Sequence, residues 1–270
     1  MNQAMNQLIW DDINSWTLEE LITRGTSHTQ TFSEYFLQKL NQDSDDKNVN
    51  SDIMKRYCSV ASLLFRMIAN YYSSNPHQND AEKLNCWILL GSLTESTLQM
   101  FLCFYIKDYT KSKWQQWSDF NGDEVVQSIK EALTANDKIT AKQKKSIIKA
   151  VKNKIEEHTI EHDIRWITLD ELIQFYRKEK LIDDEEYHYL HSIQIHRNGV
   201  HSFLERSVGD WEELIDCSKF LCYMQQWIMS HIPHDSVIEV LANWILRSPN
   251  TFISIINDLD VDLESTGNNE

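Results

Sequence analysis

The chain has 270 residues, a length that suits one large domain or two small ones and is ample for a buried core. With only 6 glycines and 3 prolines to build turns, many-stranded architectures are excluded and long helices are favoured. A formal net charge of -15 repels nucleic acid at long range, so any polyanionic partner needs a local basic patch.

Five cysteines (Cys58, Cys86, Cys103, Cys217 and Cys222) are scattered, without a CxxC pair. They read as reduced, buried thiols of a cytoplasmic protein, and neither a metal site nor a cofactor is expected. The N-terminal MNQAMNQLIWDDINSW has no basic n-region and no apolar h-region, so no signal peptide is expected. Residues 84–106 have the length of a membrane span, flanked by Lys83 and Lys107. Their middle carries Ser92, Thr94, Glu95, Ser96 and Gln99. A carboxylate at the bilayer centre costs about 3 kcal/mol, so a buried core helix is expected and no membrane partner.

In chain order, residues 1–27 read as a short helical or irregular lead-in, with one or two turns at 17–22. Phe32, Tyr35, Phe36 and Leu40 recur at helical spacing and predict a second helix over 31–40. The polar, acidic stretch 41–48 predicts a linker, which sets residues 1–50 apart from the rest of the chain. Ser51 or Asp52 is expected to cap a helix through 72 that buries Val60, Leu64, Met67 and Ile68. Asp80 is expected to cap a helix over 81–109, the most apolar of the chain and a candidate bundle centre.

Residues 111–121 form a connector bearing Trp114, Trp117 and Phe120. A short amphipathic helix comes next, at 123–133. A lysine-rich helix over 140–157 should bury Ile147, Ile148, Val151 and Ile155. Thr168 with Glu171 is a capping box for a helix to about 180. Asp183 with Glu186 opens the next helix, and Asp210 with Glu213 opens another that Pro233 stops. A last helix is expected at 236–246, and 257–270 reads as a mobile acidic tail. There is no internal repeat and no strand pattern. The expected architecture is all-α, a helical bundle over 51–256 with peripheral helices.

Two polar stripes interrupt apolar helices at matching spacing. Ser92, Glu95, Ser96 and Gln99 fall at i, i+3, i+4 and i+7, and so do Gln194, Arg197, Asn198 and His201. A carboxylate inside a bundle needs a cation or a proton. Arg197 is the economical partner for Glu95, so the two helices are expected to pack stripe to stripe. On a continuous helix, Arg197 and His201 would also share one face. Such a pair can bind a phosphate and move a proton, and it can equally be a structural ion pair; both readings stay open here.

The segment Trp87-Ile88-Leu89-Leu90-Gly91-Ser92-Leu93-Thr94-Glu95, with Arg197-Asn198-Gly199-Val200-His201-Ser202-Phe203 about a hundred residues later, resembles the HEPN superfamily. The resemblance covers roughly 81–232. It implies an all-α, HEPN-like helical bundle, and it implies a metal-independent endoribonuclease of bacterial toxin–antitoxin, abortive-infection or CRISPR-associated systems. The site in that family is usually composite, formed across a homodimer. Arg197 stands at the family arginine, Asn198 at its polar follower and His201 at its histidine. Glu95 matches an acidic or polar position on the preceding long helix. Three residues separate Arg197 from His201, where the family usually has four to six. The resemblance implies RNA as substrate and an antitoxin or defence-system partner. The alternative is a catalytically inactive HEPN-like module for binding or dimerisation.

For RNA cleavage, a histidine suits proton transfer because imidazole titrates near neutral pH. Arg197 would bind the phosphate and stabilise its growing charge. Asn198 would orient the histidine or bond the phosphate, and Glu95 would hold Arg197 in its rotamer. Lys138, Lys142, Lys144, Lys145, Lys149, Lys152 and Lys154 form the one concentrated basic region. It is either a solvated helix face or a phosphate track, with Lys144, Lys145 and Lys149 as its candidate RNA contacts. His158-Thr159-Ile160-Glu161-His162 matches a zinc-peptidase HxxEH pattern without the sheet-bearing context such sites need. His188, His191 and His196 read as ordinary surface or interface histidines.

Overall fold

Side-chain caps set where the helices begin. A computed structural model describes residues 3–43, 49–111, 122–136, 138–159, 164–200 and 208–232, and every regular element among them is helical. The α-helices are α1 (Gln3–Asn14), α2 (Leu18–Asp43), α3 (Ser51–Tyr71), α4 (Asp80–Lys111), α5 (Gly122–Thr134), α6 (Ala141–Thr159), α7 (Leu169–Lys178), α8 (Asp184–Arg197) and α9 (Trp211–His231). Two 3-10 turns, Ile164–Trp166 and Asn198–Val200, complete the described elements. The all-α architecture expected from composition is the one observed.

At α7 the capping box is complete: Thr168 N donates to Glu171 Oε2 at 3.0 Å and Glu171 N donates to Thr168 Oγ1. Asp183 and Glu186 make the same reciprocal pair before α8. The cap of α3 is Asn50, whose Oδ1 accepts from Asp52 N and Ile53 N, rather than Ser51 or Asp52. Both of those lie inside the first turn, where an acceptor on the residue before it serves the orphan amides better.

Two compact units divide the chain, one of Met1–Thr97 with His188–Glu270, the other of Leu98–Tyr187. In the first, α2 packs on α3 and α9, and α1 packs on α9. Residues 18–43 are one unbroken helix, α2, where the sequence predicts two pieces, at 17–22 and 31–40. Two polar residues in the middle of α2 make tertiary bonds. His28 Nε2 donates to the Cys222 carbonyl at 2.9 Å, and Thr29 bonds Gln225 in the buried interior.

The centre of this unit is α9, whose side chains are all buried from Phe220 to Ser230. Gln225 is accommodated there by a directional chain of bonds. Its Nε2 donates to Tyr57 OH at 2.7 Å, which meets Thr97 Oγ1 at 2.6 Å, which in turn donates to the Leu93 carbonyl. Every member is satisfied, which is the condition for polar groups in a core.

In the second unit, the Leu98 carbonyl accepts from Tyr176 OH at 3.0 Å, and Tyr109 packs edge-on against Phe175 at 4.7 Å. Here α5 packs on α6. The expected buried stripe of α6 is only partly covered. Ile148, Val151 and Ile155 are half-buried and Ile147 is 39% exposed, because α6 has α5 as its one substantial helical neighbour among the described residues.

By length and composition α4 can cross a membrane, and in this fold 61% of its most apolar stretch is buried. All five cysteines are free thiols, four of them buried and Cys58 half-buried. The helix expected at 236–246, the tail 257–270, the connector aromatics Trp114, Trp117 and Phe120, and the side chains of the HxxEH stretch all lie outside the described residues.

Candidate functional site

The end of α8 lies along one face of α4. Leu84, Trp87, Gly91 and Glu95 are spaced by three, four and four residues, so they line up on that face. A β-carbon on Gly199 would be 3.5 Å from Leu84 Cδ1, the His196 ring lies on Trp87 with centroids 4.5 Å apart, and the Arg197 stem crosses Gly91. At Gly91 the approach is closer than any other residue would allow. A β-carbon there would sit 2.5 Å from Arg197 Cδ, 2.9 Å from Cγ and 3.0 Å from Cβ.

Across that gap Arg197 NH1 reaches Glu95 Oε2 at 2.6 Å. This is the contact that the two polar stripes predict. The side chains remain 30% and 22% exposed, so the pair sits at the rim of the packed interior. Arg197 is the last residue of α8, where the negative end of the helix dipole favours a cation. Glu95 engages one terminal nitrogen of a planar group that has five N–H donors.

Two other members of the α4 stripe bond elsewhere. Ser92 Oγ donates to the Ile88 carbonyl of its own helix, and Gln99 Nε2 donates to the Ile167 carbonyl. The α-helix does not continue through the motif. It ends at Arg197, and Asn198–Val200 form a 3-10 turn. Glycine at 199 weakens helix propagation. A 3-10 turn has about three residues per turn, so the same-face relation of positions four apart, the premise for stacking His201 on Arg197, is not carried through 198–200. His201 itself lies outside the described residues.

His196 is buried rather than superficial. Its Nε2 lies 3.1 Å from Glu213 Oε2, and its ring is tilted 30° on Trp87. Trp87 Nε1 donates to the Val208 carbonyl at 2.7 Å. Between them runs Gly209 at φ +69, a left-handed conformation that suits glycine. A β-carbon there would also meet Glu213 Oε2 at 2.6 Å and His196 Nε2 at 3.0 Å. Glu213 therefore does not complete a capping box. Its amide donates to Asp210 Oδ1, but its carboxylate is taken by His196.

A cleft beside this knot is lined by Pro76, His77, Asp80, Val208, Gly209, Asp210 and Glu213. Its carboxylates are each engaged: Asp80 with Lys83 at 3.0 Å, Asp210 as the α9 cap, Glu213 with His196. Among the described residues no three His, Cys, Asp or Glu side chains gather as a metal site.

In the other unit, Lys145 and Lys149 are exposed on α6, and Lys144 Nζ donates to the Thr134 carbonyl at 3.4 Å. Sequence reasoning finds Glu95 and Arg197 but overlooks Gly91 and the Trp87–His196–Glu213 contact. The signal for Gly91 was present: a glycine inside the most apolar helix, four residues before the one buried-stripe carboxylate. Compared with protein-family models, curated proteins and solved structures, the chain matches none of them.

Proposed function

We propose that this chain is a HEPN-like, metal-independent endoribonuclease, acting in the cytoplasm as a toxin or effector of bacterial defence. Its substrate is RNA, its working form is a homodimer, and an antitoxin or defence-system protein is its partner. One observation carries the reading. Arg197 is clamped at a helix end by Glu95 across Gly91, with its guanidinium at the rim of the interior.

A fixed, partly exposed guanidinium is suited to a phosphate whose charge grows during reaction, because it needs no reorganisation at that moment. In the reaction the 2′-oxygen of a ribose loses its proton and attacks the adjacent phosphorus. The bond from phosphorus to the 5′-oxygen breaks, and that oxygen takes up a proton. The products are a 2′,3′-cyclic phosphate and a 5′-hydroxyl. His201 moves the protons, Arg197 holds the phosphate, Asn198 orients one or the other, and Glu95 holds Arg197.

A second reading, a catalytically silent helical module, is favoured by the change from α-helix to 3-10 turn at Asn198, which interrupts the stacking geometry. Purified wild type, Arg197→Ala and His201→Ala, each incubated with mixed RNAs in EDTA, separate the two. Cleavage by wild type that both substitutions abolish supports the enzyme. Equal cleavage by all three places the activity elsewhere, and a stable, inactive wild type supports the module.

A further inference from the structure

The last carbonyls of an α-helix have no partner within the helix, so its final turn is ordered by what it touches. In α8 that turn carries Arg197, and the chain beyond changes to a 3-10 turn. An arginine stem has several rotatable bonds, and where its guanidinium stands depends on where the backbone puts its Cβ. The residue just before Arg197 is the one that ties this turn down.

That residue is His196, which is buried. Its ring lies on the fully buried Trp87 of α4 with centroids 4.5 Å apart. Trp87 stands one helical turn before Gly91, and His196 one residue before Arg197. The two helices are therefore joined twice within about 6 Å of helix length. One joint is His196 on Trp87, and the other is Arg197 across Gly91 to Glu95.

A third element holds the imidazole at its edge. His196 Nε2 lies 3.1 Å from Glu213 Oε2, in the first turn of α9. That turn is fixed in its own right, since Glu213 N donates to Asp210 Oδ1 at 2.8 Å. The chain entering it is fixed to α4, since Trp87 Nε1 donates to the Val208 carbonyl at 2.7 Å. Gly209 passes so close that a β-carbon would lie 3.0 Å from both His196 Cε1 and Nε2. A stacked ring fixes the plane of the imidazole, and a directional bond fixes its rotation within that plane.

We infer that His196 is a positioning residue for Arg197: with Trp87 and Glu213 it pins the last turn of α8 to α4, and so sets where the guanidinium is presented. The use of that guanidinium on an RNA phosphate rests on the endoribonuclease reading; the pin does not. Loss of the pin acts through Arg197. A guanidinium that wanders has to be ordered again as charge grows on the phosphate, so the loss falls on kcat rather than on KM.

The test reads the Arg197 side chain directly, by NMR relaxation of its Nε–H in the full chain with 15N-labelled arginine. Arg197→Lys assigns the signal. In wild type the order parameter should be near that of rigid backbone, about 0.85, and in His196→Ala it should fall below about 0.6. Glu213→Ala, which leaves the ring on Trp87 and is the milder change, should lower it in the same direction. Glu213→Gln should stay rigid, because its amide oxygen can still accept from Nε2. Tyr57→Phe cuts the Gln225 bond elsewhere in the same unit and controls for general loosening; it too should stay rigid. A rigid Arg197 in both His196→Ala and Glu213→Ala overturns the inference, and so does an equal loss of order in Tyr57→Phe. RNA cleavage is measured in parallel, where Glu213→Ala should lower kcat about tenfold with KM changed less than about twofold. Loss of Arg197 order in the variants of a chain that cleaves no RNA removes the nuclease reading and keeps the pin. Cleavage that Arg197→Ala abolishes and Glu213→Ala leaves at wild-type kcat keeps the nuclease reading and overturns the positioning role.

Discussion

Gly91 and Arg197 are in contact through the absence of a side chain: a β-carbon on Gly91 would lie 2.5 Å from Arg197 Cδ. The atom at 3.0 Å is Arg197 Cβ, which cannot swing away without moving the α8 backbone. In an ordinary helix, Gly→Ala is stabilising by about 1 kcal/mol. At this position the sign should reverse. Overpacking should cost about 1–3 kcal/mol, so Gly91→Ala is expected to be less stable than wild type in urea unfolding. A stabilised Gly91→Ala would show that the two helices do not meet here.

Glu95→Gln keeps the shape of the side chain and removes its charge. The hydrogen bond to Arg197 at 2.6 Å loses its charge assistance, and the expected loss of stability is about 1 kcal/mol. On the proposed endoribonuclease function, Arg197→Lys should lower RNA cleavage by about a hundredfold, because a lysine cannot reproduce the planar fork. Cleavage unchanged in Arg197→Lys would remove the guanidinium from the mechanism.

His196→Ala opens a space against Trp87 and leaves the Glu213 carboxylate without its partner. The expected cost is about 2–4 kcal/mol, read from urea unfolding. A change in stability below about 0.5 kcal/mol would mean that His196 is not the anchor described.

Buried thiols and phenols make stability fall in alkali. Burial pushes Cys86 and Cys222 up to about 12 from an ordinary 9.0, the nearby Glu82 adding to the effect at Cys86. Burial also raises Cys217, Tyr57 and Tyr176. For a raised group, the unfolded chain loses its proton first. Between pH 9 and 12 the unfolded state therefore binds fewer protons than the folded state, and unfolding becomes easier as pH rises. Stability should be level below pH 9 and then fall by up to about 1.4 kcal/mol per pH unit for each buried thiol. In the same range a thiol reagent should modify Cys58 before the four buried cysteines. A flat urea midpoint from pH 8 to 11 would contradict this.

Local chemistry was legible because it is written in neighbouring residues. Scarce glycine and proline, apolar spacing and the Thr168–Glu171 and Asp183–Glu186 pairs specified helices and several starting points, since caps and amphipathic faces are properties of a few consecutive positions. The Glu95–Arg197 contact was legible for another reason: a carboxylate on an apolar helix needs a cation, and one other helix carried an arginine in a matching stripe.

Only tertiary structure decided what depends on distance between helices. Turns at 17–22 and a helix over 31–40 read as separate pieces, but they belong to the single helix α2, which His28 and Thr29 tie to α9. His196 read as superficial, and Trp87 with Glu213 buries it. The stripe of α6 read as buried, and Ile147 is left 39% exposed because burial depends on what arrives to cover a face. Gly91 has no side chain to carry a pattern; its role exists only because α8 ends above it. Composition and periodicity determine that this chain is all helix. The spacing of α4 from α8, set by the missing β-carbon, is what brings Arg197 to Glu95.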